Sequence, residues 1–163
     1  MQKITPRAGI AAASRAGERP NGPGEDLAIG SGVKPRVLVV DDSHESRNAL
    51  VLALCHAGFD AVPAANGAEA LAFLSEGNVV DVILLDLVMP VMDGWTFRRA
   101  QQRDSWLADI PVIAVTALEG RPLSGLGAVA AFRKPIDLHA VVDRVRAVCR
   151  RAARFRGGAA PVP

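Results

Sequence analysis

The sequence predicts an α/β fold: one parallel sheet with helices on both faces. Three observations predict it. Short apolar runs recur at residues 37–40, 82–85, 112–115 and 128–133. They are too brief for helices and do not alternate with polar residues, so they read as parallel strands buried on both faces. The stretches between them have helical periodicity, and right-handed crossovers then force helices onto both faces of the sheet. Finally, each run ends in polar residues: Asp41-Asp42, Asp86, Thr116 and Lys134-Pro135. Ligands of an open parallel sheet bind beyond the carboxyl ends of its strands. Three carboxylates, one hydroxyl and one ammonium should therefore converge. That set suits a hard divalent cation and an oxyanion such as a phosphoryl group.

Each element has a local signal. Residues 1–33 hold nine Pro plus Gly and no sustained apolar period, so they read as a disordered leader. Gly22-Pro23-Gly24 and Gly30-Ser31-Gly32 do not make a phosphate loop, because no strand precedes them and no Gly-Lys-Ser/Thr follows. A strand over 36–41 leads to a helix over 43–57 with Leu50, Leu54 and Ala57 on one face; Gly58 stops it. The next strand, 59–64, contains Pro63, which suits a sheet edge. Asn66 and Glu69 resemble a capping box for a helix over 67–76, ended by Gly77. A strand over 79–85 follows, then a loop in which Asp93 caps a helix over 94–103.

After a strand over 110–115 the pattern falters. Glu119 to Gly127 holds three Gly and one Pro, so the fourth helix is expected to be shortened or missing, at most one mobile turn. A strand over 128–133 then precedes a last helix, capped by Asp137, with Leu138, Val141, Val142, Val145 and Val148 inward. Residues 154–163 read as a disordered tail, which leaves one domain over 34–153.

Composition sets bounds. The chain has 163 residues, half of them hydrophobic, and a formal net charge of +2, which points neither to nor away from nucleic acid. Sixteen Arg against three Lys make Lys134 stand out. Cys55 and Cys149 lack metal-site spacing and are expected to act as buried small hydrophobes in a reducing, cytoplasmic setting. No apolar stretch approaches a membrane span. Trp95 and Trp106 are expected to pack, His44 to be solvent-exposed beside the site, and His56 and His139 to take helix-surface or partly buried positions. The Arg cluster from Arg144 to Arg156 reads as a solvated face, or as a contact for an acidic protein; it has no nucleic-acid motif.

Four segments together carry a resemblance: Val40-Asp41-Asp42-Ser43, Leu84-Leu85-Asp86-Leu87-Val88-Met89-Pro90-Val91-Met92-Asp93-Gly94, Val115-Thr116-Ala117 and Arg133-Lys134-Pro135. In this order, and each at a strand end, they resemble the receiver domain of two-component response regulators, of the stand-alone type. The resemblance implies a flavodoxin-like sheet of order 2-1-3-4-5. It implies that Asp86 accepts a phosphoryl group from a histidine kinase or histidine phosphotransfer protein. Mg²⁺ is the implied cofactor. Asp42 would bind it directly, Asp41 partly through water, together with Asp86 and the Val88 carbonyl. Thr116 and Lys134 would hold phosphoryl oxygens, and Lys134-Pro135 would be cis. The competing reading of Asp41-Asp42 is capping of the first helix, with Glu45 completing a box.

Two departures bear on output. The family's aromatic switch position, three before the lysine, is Ala131. Phe132 comes one later and should face the opposite way. The segment from Thr116 to Lys134 is also about one turn short. Thr116, moving toward a phosphoryl group, would then act by dragging residues 117–127. The expected output is contact with an unknown downstream protein, by a monomer or weak dimer, without direct nucleic-acid or membrane binding. No enzyme activity is expected beyond self-phosphorylation and autodephosphorylation. One alternative is a constitutive binding module with vestigial phosphorylation. The other is a Mg²⁺-dependent phosphatase with an aspartate nucleophile, but that chemistry wants an acid two residues after Asp86, where Val88 stands.

Overall fold

The computed structural model describes residues 33–118 and 125–157. In chain order these form β1 (Arg36–Val40), α1 (His44–His56), β2 (Asp60–Ala64), α2 (Gly67–Ser75), β3 (Val82–Asp86), α3 (Gly94–Arg103), β4 (Val112–Thr116), β5 (Ala130–Arg133) and α4 (Leu138–Gly157). The five strands make one parallel sheet of order β2-β1-β3-β4-β5. This is the expected flavodoxin-like topology.

Alternate residues of each central strand feed two cores. Leu38, Val40, Ile83, Leu85, Val112 and Ala114 face α2 and α3, where Ala70, Leu74 and Phe97 meet them. Val37, Val39, Val82, Leu84 and Ile113 face α1 and α4, where Leu50, Leu54, Val141 and Val145 close the layer. Burial on both faces explains the unbroken apolar runs of β1, β3 and β4.

The helix ends follow their local chemistry. Gly58 and Gly77 take φ of 92° and 83°, the left-handed turn expected just past a helix end. Asp93 accepts from the Thr96 amide at 2.7 Å, and Asn66 from the Glu69 amide at 2.9 Å. Asp137 accepts from the His139 amide at 2.9 Å. Pro63 is exposed on β2, an edge strand.

Several expectations need correction. The run over 128–133 is not buried on both faces: β5 is the other edge strand, and its residues alternate between half-buried and exposed. Cys55 is exposed, because it lies one position off the Leu50/Leu54 stripe of α1; Cys149 is buried as expected. Trp106 does not pack: it is 89% exposed, in the turn between α3 and β4. The helical backbone of α4 continues to Gly157, past the boundary expected at 153. Between β4 and β5 the described residues form no helix, and residues 119–124 lie outside the described residues. The expectation of a mobile turn there, and those for the leader and the last residues of the tail, likewise fall outside them.

Candidate functional site

Strand register brings the polar ends together. Val40 pairs with Leu85, Asp86 with Val115, and Thr116 with Arg133. Asp41, Asp86, Thr116 and Lys134 therefore meet at the carboxyl edge of the three central strands and β5. The Lys134 amide donates to the Thr116 carbonyl at 3.0 Å, and the Asp41 amide to the Ala64 carbonyl at 3.2 Å. Both bonds continue the ladder one step past the strands. The Lys134–Pro135 peptide is cis.

Asp41, Asp86 and Thr116 are 1%, 4% and 2% exposed. Buried carboxylates need partners. Lys134 supplies one to each: its ammonium lies 2.8 Å from Asp41 Oδ2 and 2.5 Å from Asp86 Oδ2. The other oxygens are held by backbone amides, Asp41 Oδ1 by Ser43 at 2.9 Å and Asp86 Oδ1 by Val88 at 3.0 Å. Burial alone would lower the pKa of the Lys134 ammonium. The hydrogen bonds and charges of Asp41 and Asp86 outweigh burial and raise it above the ordinary lysine value.

Asp42 is exposed, and carboxylate oxygens of Asp41, Asp42 and Asp86 lie within 4.8 Å of one another. Asp42 does not cap α1. Ser43 does, its hydroxyl accepting from the Ser46 amide at 3.3 Å. Three carboxylates against one ammonium leave two net negative charges, which fits a divalent cation.

The Thr116 hydroxyl accepts from the Leu118 amide at 3.1 Å. Its proton is thereby left to donate to an incoming acceptor oxygen. Ala117 is exposed and small beside it. Val88 is half-exposed at the mouth.

The sequence reading missed three supports of the site. Arg47 donates from α1 to the Asp41 carbonyl. Gly94 opens α3 against the floor of the site: an added Cβ would stand 2.4 Å from the Asp86 carbonyl oxygen and 2.8 Å from Leu87 Cα. The third is Arg98 on α3, buried against the segment that precedes β5. Gly94 had a signal, the Asp93-Gly94 pair, which served as a helix start and as part of the family motif but not as a close contact with the end of β3. Arg47 and Arg98 had none, since a basic residue on a helix usually lies in solvent.

The family model for the response regulator receiver domain matches residues 37–146. The chain belongs to the response regulator receiver family. Such domains are signalling modules of two-component systems, which implies a phosphoacceptor role. Among curated relatives, this receiver domain is similar to the DNA-binding dual master transcriptional regulator RpaA of Synechocystis sp., 37% identical over 126 residues. It is also similar to the response regulator PleD of Caulobacter vibrioides, 39% identical over 119 residues. These matches cover 74% and 71% of this chain but only 52% and 26% of the relatives, so the chain spans about half their length or less. Among solved structures, the chemotaxis protein CheY4 of Vibrio cholerae superposes with a TM-score of 0.65 at 31% identity, covering 71% of this chain and 99% of that one. A Francisella response regulator receiver domain gives 0.67 at 27%, covering 73% and 99%. Among the described residues no helix is long and apolar enough to cross a membrane.

Proposed function

We propose that this receiver domain accepts a phosphoryl group on Asp86 from a phosphohistidine of a histidine kinase or histidine phosphotransfer protein, with Mg²⁺, and signals by protein contact. One arrangement supports the reading above the rest: a buried Asp86 shares Lys134 with Asp41 and lies beside the exposed Asp42 and the hydroxyl of Thr116. A carboxylate oxygen of Asp86 forms the new bond to phosphorus, and the P–N bond to the donor imidazole breaks, leaving its electron pair on nitrogen. Asp42 and Asp86, Asp41 partly through water, and the Val88 carbonyl would hold the ion. When bound, Mg²⁺ supplies positive charge for the phosphoryl oxygens. Thr116 donates a hydrogen bond to one phosphoryl oxygen, and Lys134 swings from the carboxylates to pair with another. Both groups stand at the same edge as Asp86, within a short movement of the oxygens to which charge shifts.

This reading places the protein in the cytoplasm, as a monomer or weak dimer. It involves no direct nucleic-acid contact and no enzyme activity beyond self-phosphorylation and autodephosphorylation. A phosphatase acting on other substrates is disfavoured, because apolar Val88 stands where an acid/base carboxyl would be needed. A constitutive binding module draws support from Ala131, which is exposed and carries no ring, while Phe132 packs on the opposite core with α1 and α4.

Intact mass after incubation with a small phosphodonor separates these readings. The expected result is one added phosphoryl group with Mg²⁺, and none with excess chelator or in Asp86→Asn. Full labelling of Asp86→Asn, or labelling in chelator, would overturn the assignment. A wild-type chain that never labels would leave the binding module.

A further inference from the structure

The connection between Thr116 and Lys134 is held at its far end by a buried cation. Arg98 is 8% exposed, and its guanidinium donates to the Leu126 carbonyl at 2.9 Å, the Gly127 carbonyl at 3.1 Å and Gln101 Oε1 at 2.8 Å. Gln101 is fully buried and turns its amide to the Leu107 and Ile110 carbonyls, at 2.9 and 3.0 Å. The pair thus ties α3 to the segments before both β4 and β5. Among the described residues, Arg98's partners are all uncharged oxygens. Burying a cation without a counter-ion is costly, and apolar residues of similar volume could fill these positions. The polar pair is explained by what it holds. Arg98 pairs the carbonyls of Leu126 and Gly127 where no helix among the described residues takes them up.

The held segment reaches the site through packing. Leu126, 1% exposed, and Leu118, half-buried, belong to the same core cluster as Phe97 of α3. The Leu118 amide is the one that donates to the Thr116 hydroxyl. Gly127, at φ of 64°, packs closely here: an added Cβ would stand 3.2 Å from Gln102 Nε2 and 3.3 Å from Arg98 Nη2.

We propose that Arg98 is a positioning residue that pins the β4–β5 connection to α3 and thereby resists movement of Thr116 toward a phosphoryl group. The proposal deepens the phosphoacceptor reading: the output of the site is set by a hydrogen-bonded clamp, where Ala131 offers no aromatic side chain.

Arg98→Met keeps the aliphatic bulk and removes every donor; Arg98→Lys keeps a cation with a poorer fit. Amide hydrogen exchange by NMR on the ligand-free protein is the first readout. Leu118 should exchange at least tenfold faster in Arg98→Met, with Arg98→Lys between it and wild type. Affinity for beryllofluoride, a phosphoryl mimic, is the second. It should tighten about fivefold in Arg98→Met with Mg²⁺ affinity unchanged, and that gain should vanish when Thr116→Val is added. Leu118 exchange equal to wild type in a folded Arg98→Met, or in Arg98→Lys should the Met variant not fold, would overturn the proposal. So would unchanged or weaker mimic binding in a variant whose wild-type parent binds it. If exchange responds while the wild-type chain takes up neither mimic nor phosphoryl group, the clamp stands and the phosphoacceptor reading fails.

Discussion

Lys134 is the residue on which the buried charges of the site depend. Its removal leaves Asp41 and Asp86 nearly inaccessible with no cation between them. Breaking such a pair from one side costs roughly 3–5 kcal/mol. Lys134→Ala is therefore expected to lose about 3 kcal/mol in urea melts without Mg²⁺, and to regain part of it when the ion is added. A group whose native pKa is raised contributes stability that is complete below its unfolded pKa and lost as pH climbs through the native one. The ammonium starts from 10.5, so the wild-type advantage over Lys134→Ala should be flat from neutral pH to about pH 9 and shrink only at stronger alkalinity. An advantage that fades between pH 6 and 8 would contradict the pairing.

Val91 is the other residue with a testable cost. It holds φ of 68° in the loop between β3 and α3, a conformation that a β-branched side chain strongly disfavours, and it is 85% exposed. Such strain is worth of order 1–3 kcal/mol, and glycine gives back part of it in unfolded-chain entropy. Val91→Gly should raise stability by about 1 kcal/mol in urea denaturation. A loss of stability would mean that Val91 packs in a way its exposure does not suggest.

At the scale of elements, α3 sets the geometry around Asp86. Gly94 lets its first turn lie directly against the end of β3, with the Gly94 amide donating to the Leu87 carbonyl at 3.2 Å. A methyl group there meets backbone atoms, which cannot rotate away. Gly94→Ala should cost about 2 kcal/mol or more, and should slow labelling of Asp86 more than Val91→Gly does. Normal labelling in a destabilised Gly94→Ala would separate stability from the site. The same element was only half readable in advance. Its cap, Asp93, and its buried Phe97 follow from local pattern. Its buried Arg98 and Gln101 do not, because their partners lie 28 and 9 residues away, at Leu126 and Ile110. β5 was misread for a related reason: an apolar run does not say whether the strand sits at the centre of a sheet or at its edge.

For the whole molecule, we propose that residues 1–33 are dispensable for folding. Ordering a residue costs roughly 1–2 kcal/mol of backbone entropy, and this Gly- and Pro-rich stretch offers few apolar groups to offset it. A chain starting at Lys34 and ending at Gly157 should melt within about 2 °C of the full chain. Ending it at Cys149 instead should lower the melting temperature, because α4 continues beyond that buried residue. Failure to fold without residues 1–33 would contradict the expectation.

The sequence by itself determined the alternation of strands and helices, the doubly wound core and the polar strand ends that meet at one edge. These follow from local rules: apolar period, caps and breakers fix elements, and parallel crossovers fix which ends of the strands share a side. Only the tertiary structure decided that Lys134 bridges Asp41 and Asp86, that Ser43 rather than Asp42 caps α1, that Trp106 and Cys55 face outward, and that Arg98 clamps the segment before β5. Each is a pairing or an orientation among groups whose alternatives are close in local energy. The choice between them is made by what the rest of the fold leaves unpaired or uncovered.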